Sequence, residues 1–136
     1  MRLLFLLALP LAAESTILQC ASDRDARSAS GTTLQAPPLV FRFDTTLIAG
    51  WRIDKASLLL HLREGFAPAR LQAFQPAARR WLPVPVVPQA DGWLRIDLPS
   101  SISPFETVTL RGKSRAVFDA RESLRFIPYL YVEGRR

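Results

Sequence analysis

The sequence is poor in the residues that most often carry chemistry, since its 136 positions include one histidine, one cysteine and one methionine. The single cysteine, Cys20, cannot close an internal disulfide, so the stability of the chain must come from its core. A zinc site would require several histidine or cysteine ligands, and no such spacing is visible. A glycine-rich loop that could cradle phosphate groups is also missing. These absences argue against a zinc protein and against a nucleotide-binding enzyme.

Helical periodicity of useful length is missing as well, and eleven prolines and six glycines interrupt the sequence at short intervals. Between these turn signals lie short runs of β-branched, aromatic and leucine residues, a pattern typical of strands. The spacing predicts eight to ten short strands with turns every 8–12 residues. The expected fold is therefore an all-β, antiparallel two-sheet β-sandwich of jelly-roll type.

Individual strands can be assigned from their alternation. Residues 39–44 (LVFRFD) place every second side chain on one face, which predicts a strand that is half buried. Residues 55–62 are apolar on both faces, which indicates a central strand. Asp91-Gly92 predicts a turn before residues 93–98, whose leucines and isoleucine would point into the core. Residues 81–87 contain prolines and predict an edge strand or an extended loop.

The first thirteen residues differ from the rest of the chain. A basic start at Arg2 precedes an apolar run, and Ala12 and Ala13 provide a plausible cleavage point. This order predicts a secretory signal peptide over residues 1–13, followed by one β-sandwich domain over residues 14–136. A buried first strand or helix is the alternative. The run is too short to cross a bilayer, which requires about 20 apolar residues. We therefore expect a secreted or periplasmic protein without a membrane span.

The charge of the chain is positive, with a formal value of +6 at pH 7, and arginine supplies nearly all of its cations. A basic surface attracts anionic partners such as acidic polysaccharide or lipid headgroups. Export makes nucleic acid the least expected partner. Since no block of five like charges occurs, an ordinary solvated surface rich in arginine is the alternative.

Catalysis is not expected from the side chains present. His61 is the only histidine and lies in the middle of a leucine-rich segment, where packing is the more common role. Paired carboxylates could drive glycoside hydrolysis, but most acidic residues lie at predicted strand ends, where they normally cap turns or pair with arginine. We therefore expect the chain not to be an enzyme.

Carbohydrate binding requires exposed aromatic rings flanked by polar groups, and arginine can bind a carboxylate through two hydrogen bonds. Trp51 and Trp81 lie in loop-like or proline-interrupted segments, and Arg79 and Arg80 directly precede Trp81. These four residues are the predicted ligand-binding site. The alternative is a solvated turn in which Trp81 covers the core.

A structural calcium ion is the one cofactor for which the sequence offers ligands. Asp23 and Asp25 lie in a polar segment and are candidate ligands, because calcium prefers several carboxylate and carbonyl oxygens. An ordinary polar loop is the alternative. No other cofactor is expected.

The order of several segments is similar to that of a known family. A phenylalanine-rich strand ends in Asp44, a leucine strand containing Ala56 follows, and Gly92-Trp93 opens an apolar strand that ends in Asp97. This order resembles the DNRLRE-type extracellular modules, jelly-roll domains related to carbohydrate-binding modules. The chain departs from the family in lacking the run that gives it its name. The resemblance implies a jelly-roll fold and an extracellular binding role.

The predicted function is a non-catalytic exported module that binds carbohydrate or another surface polymer, with acidic glycan favoured by the charge. The alternative is a structural or adhesion subunit that contacts a cell-surface protein through one face of a sheet. These functions differ in where the decisive residues should lie, in a groove or on a flat sheet face.

Overall fold

The computed structural model describes residues 13–25, 33–34, 38–113 and 115–136, and within them the fold is all-β. The described residues contain no α-helix, and their four 3₁₀ turns are three residues long. None of these helical turns is long and apolar enough to cross a membrane. Except for Ala13, the predicted leader lies outside the described residues.

The strands are β1 (Glu14–Arg24), β2 (Thr33–Leu34), β3 (Leu39–Phe43), β4 (Arg52–Glu64), β5 (Arg70–Gln75), β6 (Arg80–Pro88), β7 (Trp93–Leu98), β8 (Thr107–Arg111), β9 (Val117–Asp119) and β10 (Tyr129–Arg135).

Eight of these strands form a closed ring. Their order is β10-β1-β3-β8-β5-β6-β7-β4, and β4 pairs again with β10, so the sheet returns to its starting strand. Every neighbouring pair is antiparallel. The predicted two-sheet sandwich of jelly-roll type is therefore wrong, because the sheet closes into an eight-stranded antiparallel barrel. Strand β9 pairs with the end of β4 outside the ring, and β2 pairs with β9.

The ring closes because two strands change partners along their length. Strand β1 pairs with β10 over its first half and with β3 over its second half, with a bulge between Cys20 and Ser22. Strand β6 pairs with β5 from Arg80 to Pro85 and then with β7 from Val86 onward. A bulge bends a strand and increases its twist, so β1 can pair with β10 before the bulge and with β3 after it. Alternation along a strand is the same in a sandwich and in a barrel, so it did not reveal the closure.

The core fills the inside of this ring, and the predicted inward faces are confirmed. Strand β3 buries its first, third and fifth side chains, and β7 buries Leu94, Ile96 and Leu98. Strand β4 buries Leu58 and Leu60 inside the barrel and also buries Leu59 on its opposite face. Since apolar side chains fill the interior, ligands must bind on the outer surface of the wall or at its ends.

Candidate functional site

A groove of about 670 Å³ runs over the outer surface of the wall at β5, β6 and β8. Its lining combines one tryptophan, three cations and a glutamine, and no carboxylate is among the described residues that form it. The lining residues are Pro38, Arg70, Leu71, Gln72, Trp81, Arg111, Gly112 and Lys113. We call this feature the Trp81 groove.

Strand alternation and register place these side chains together. In β5 the side chains of Leu71 and Ala73 are buried, so Gln72 and Phe74 point outward. Trp81 of β6 lies opposite Phe74, and Arg111 of β8 lies opposite Gln72. The outward side chains of three neighbouring strands therefore form one continuous surface.

The Arg111 guanidinium group is held in a defined position within this surface. Its central carbon lies 4.1 Å from the centroid of the Trp81 ring, and its Nε donates a hydrogen bond of 2.9 Å to Oε1 of Gln72. Phe74 meets the same tryptophan ring at a centroid distance of 5.2 Å and an angle of 62°. Arg111 is thus positioned by a ring and an amide, which leaves its two terminal nitrogens able to donate to an anionic group.

The four residues predicted to bind ligand are not brought together. Arg79 is exposed in the turn before β6 with a φ of 51°, and the Nε of Arg80 donates to Oε1 of Gln75 at 3.2 Å. Neither side chain is among the described residues that line the Trp81 groove. Trp51 is half-buried and lines a different cavity of about 430 Å³. Whether each of them binds a ligand stays a prediction, and of the four only Trp81 lines the Trp81 groove.

Three cations that line the Trp81 groove were not predicted as ligand-binding residues from the sequence: Arg70, Arg111 and Lys113. Arg70 begins β5 and Arg111 ends β8, and about forty residues separate them along the chain. The only signal was their position at strand ends, which many arginines of this chain share. Their proximity depends on the pairing of β5 with β8, which no local pattern encodes.

The predicted calcium ligands are both buried at the end of β1. The Asp23 Oδ2 atom accepts a hydrogen bond of 2.8 Å from the backbone N–H of Arg121. The Oδ1 atom of Asp23 and the Oε2 atom of Glu122 are buried without a hydrogen-bond partner. Across the described ranges, no group of three or more histidine, cysteine, aspartate or glutamate side chains could hold a metal ion. A calcium site at Asp23 and Asp25 stays a prediction.

The chemistry at Asp23 is that of a carboxyl pair. Burial raises the pKa of Asp23 to about 6, the Arg121 N–H opposes that shift, and Glu122 adds to it. Two carboxylates cannot hydrogen-bond to each other unless one of them carries a proton. Asp23 therefore retains its proton more strongly than an isolated carboxyl group would, and the contribution of Glu122 to that shift was not visible from the sequence.

His61 is held by partners on both ring nitrogens. Its Nδ1 lies 2.7 Å from Oδ2 of Asp119, and its Nε2 lies 2.9 Å from the backbone oxygen of Asp91. Because a carbonyl oxygen only accepts, Nε2 must donate to it and cannot serve as a free base. The imidazole also stacks on Phe126 at a centroid distance of 3.8 Å. This geometry fits a packed cross-strand residue.

The turn predicted at Asp91-Gly92 explains how the carbonyl group reaches His61. Asp91 and Gly92 both adopt left-handed conformations, with φ values of 59° and 82°. A Cβ atom on Gly92 would lie 3.0 Å from Nε2 of His61. The lack of a side chain at Gly92 therefore permits the close approach of this turn to the imidazole ring.

No protein-family model and no curated protein matches this chain. The residues of the site are therefore the basis for a functional proposal. A fold alone would not decide it, since one fold hosts many functions.

Proposed function

We propose that this chain is a non-catalytic exported module that binds carbohydrate or another surface polymer, and that acidic glycan is its ligand class. The observation that carries the proposal is the lining of the Trp81 groove. Arg70, Arg111 and Lys113 converge there, and no carboxylate is among the described lining residues to neutralise them. A groove with an excess of positive charge favours a polymer that carries carboxylate or sulfate groups.

Arg111 is the residue on which the proposal chiefly depends. Arginine binds carboxylate through two parallel hydrogen bonds, and such charge-assisted bonds are about twice as strong as neutral ones. The ring of Trp81 and the amide of Gln72 already restrict this side chain, so less conformational entropy is lost when an anion binds. Trp81 thus acts as a platform for the cation, where the sequence suggested direct stacking against a sugar.

The remaining lining fits the sugar rings of such a polymer. Pro38 offers apolar surface for carbohydrate C–H groups, and the amide of Gln72 lines the same groove. The predicted leader supports secretion or release into the periplasm, where polysaccharide is abundant and nucleic acid is not the expected polyanion. The hydrogen bonds of His61 support a binding role without catalysis, because its Nε2 is engaged by the Asp91 carbonyl.

The proposal is tested by titrating the protein with an oligogalacturonate and with its fully methyl-esterified form, using calorimetry at fixed ionic strength. We expect the acidic oligomer to bind and the neutral ester to bind far more weakly. Arg111→Gln should weaken binding of the acid by about tenfold to a hundredfold, since it removes a charged hydrogen-bond donor. The matched control is Arg42→Gln, an exposed arginine of β3 that does not line the groove.

Two results would contradict the proposal. One is equal binding of the esterified and the acidic oligomer, since charge would then play no part. The other is an Arg111→Gln variant that binds as tightly as the control. Circular dichroism melts of both variants establish whether a change in affinity reflects the groove or the fold.

A second candidate function is docking on a cell-surface protein through one face of the wall. The outer face of β1, β10 and β4 presents Ile17, which is 55% exposed, beside the half-buried Tyr129 and Tyr131. Exposed apolar surface of this kind often marks a protein-binding site. Ile17→Lys should abolish such docking and leave oligogalacturonate binding unchanged, whereas Arg111→Gln should do the reverse.

A further inference from the structure

A second, smaller notch of about 280 Å³ lies outside the wall where β4 and β9 meet the segment that precedes β10. Around the ring, this end of β4 is separated from β5 by β6 and β7, so the notch is distinct from the Trp81 groove. Its lining residues are His61, Leu62, Arg63, Asp119, Ser123, Arg125 and Phe126. We call it the Arg63 notch.

The only carboxylate among the described lining residues is already engaged. Oδ2 of Asp119 lies 2.7 Å from Nδ1 of His61, and its Oδ1 lies 3.8 Å from a terminal nitrogen of Arg63. Asp119 is 5% exposed, and its cationic neighbour at the floor of the notch is Arg63. One carboxylate against two arginine side chains leaves the notch with an excess of positive charge.

Three hydrogen-bond donors in the notch have unused capacity. Arg63 is half exposed, and its nearest carboxylate oxygen is beyond hydrogen-bond distance. The Arg125 guanidinium carbon lies 5.7 Å from the Phe126 ring centroid, and no described carboxylate pairs with it. The Oγ of Ser123 accepts a long contact of 3.5 Å from the Arg125 N–H, which leaves its own proton free to be donated.

The backbone of this segment is held in an unusual conformation that presents these donors. Leu124 adopts a left-handed conformation with a φ of 59°, although it is a leucine and is 75% exposed. Its N–H donates to the Arg121 carbonyl at 3.1 Å, which closes the turn. Strained residues of this type concentrate at binding and catalytic sites. Here the turn directs Ser123 and Arg125, on either side of Leu124, into the same notch.

We propose that the Arg63 notch is an anion-binding site for a single tetrahedral oxyanion, the sulfate or phosphate group of a monoester. Two guanidinium groups and one hydroxyl group donate from separate positions around the notch, and a tetrahedral group can accept from all of them. The site uses none of the residues of the Trp81 groove, so it stands independently of the proposed function.

The test measures binding of galactose 6-sulfate and galactose 6-phosphate by calorimetry, with free galactose as the uncharged reference, at fixed ionic strength. We expect saturable binding of at least one ester and none of galactose, and the stronger ester identifies the group that the site takes. Arg63→Gln and Arg125→Gln should each weaken binding about tenfold. Ser123→Ala should weaken it less, since it removes one neutral donor.

Two controls make the result specific to the notch. Arg52→Gln removes an exposed charge from the same strand and should bind the ester like the original protein, whereas Arg111→Gln reports any ester that binds in the Trp81 groove. The proposal is overturned if neither ester binds, or if Arg63→Gln and Arg125→Gln bind as tightly as Arg52→Gln. Loss of ester binding in Arg111→Gln but not in Arg63→Gln would place the site in the groove and overturn it equally.

Discussion

The buried carboxyl group of Asp23 should make the stability of this protein depend on pH in an unusual direction. Burial, followed by Glu122, raises the pKa of Asp23 from its ordinary value of 3.8 to about 6. Asp23 therefore binds its proton more strongly in the folded than in the unfolded chain. Its favourable contribution is complete below about pH 4 and is lost as the pH rises through 6. A difference of about two pKa units corresponds to about 3 kcal/mol of unfolding free energy.

Asp23→Asn removes this titration while keeping the shape of the side chain. The asparagine oxygen can still accept from the Arg121 N–H, which now lies 2.8 Å from Oδ2 of Asp23. Its amide N–H groups can donate to the Glu122 carboxylate, where two acceptors now face each other. We expect the variant to be more stable than the original protein at pH 7, by up to about 3 kcal/mol, with no gain at pH 4.

The measurement is urea unfolding at pH values from 4 to 8, with a chelator present so that metal ions do not contribute. Asp91→Asn is the matched control, because it neutralises an exposed aspartate in a left-handed turn that asparagine tolerates. The reasoning is refuted if Asp23→Asn is no more stable than the control at pH 7. Repeating the experiment with calcium instead of chelator tests the predicted metal site, since a calcium ion bound by Asp23 and Asp25 would stabilise the original protein and not the variant.

Two other predictions concern the core. Phe41→Ala should lower the unfolding free energy by about 3–5 kcal/mol, because Phe41 is fully buried and its removal leaves a cavity. Urea unfolding measures this loss, with Arg42→Gln at the exposed neighbouring position as the control. A loss below about 1 kcal/mol would contradict the burial of Phe41 in the core. Burial raises the pKa of Cys20 to about 12, so its thiol should not react with a disulfide reagent at pH 8 until urea unfolds the chain. Rapid labelling of the folded protein would show that Cys20 is accessible.

Much of the secondary structure was predictable, because the inward faces of strands follow a period of two. The buried residues of β3 and β7 and the turn at Gly92 were all assigned correctly from that pattern and from turn chemistry. The closure of the sheet was not predictable in this way. It depends on the bulge between Cys20 and Ser22 and on the change of partner in β6, and both are properties of pairing between distant segments.

The same distinction explains why the candidate site was only partly predicted. Trp81 stood out because a large ring occurred in a segment interrupted by prolines. Arg80 was grouped with it as a sequence neighbour, yet successive side chains of an extended strand point to opposite faces. The cation that does contact the Trp81 ring is Arg111, thirty residues away along the chain, on a strand that reaches it through β5.

The filled interior also limits the kind of ligand that this fold can bind. Leucine, valine and phenylalanine side chains of the described residues pack the inside of this eight-stranded barrel, so an enclosed small molecule is not expected there. Binding must then use side chains that alternation turns outward, in open grooves that cover only part of a ligand at a time. Such a groove gains affinity when a ligand extends beyond it and repeats its charged groups, as a polymer does. The affinity for oligogalacturonate should therefore rise with chain length, and an affinity that is already maximal for the monomer would contradict this argument.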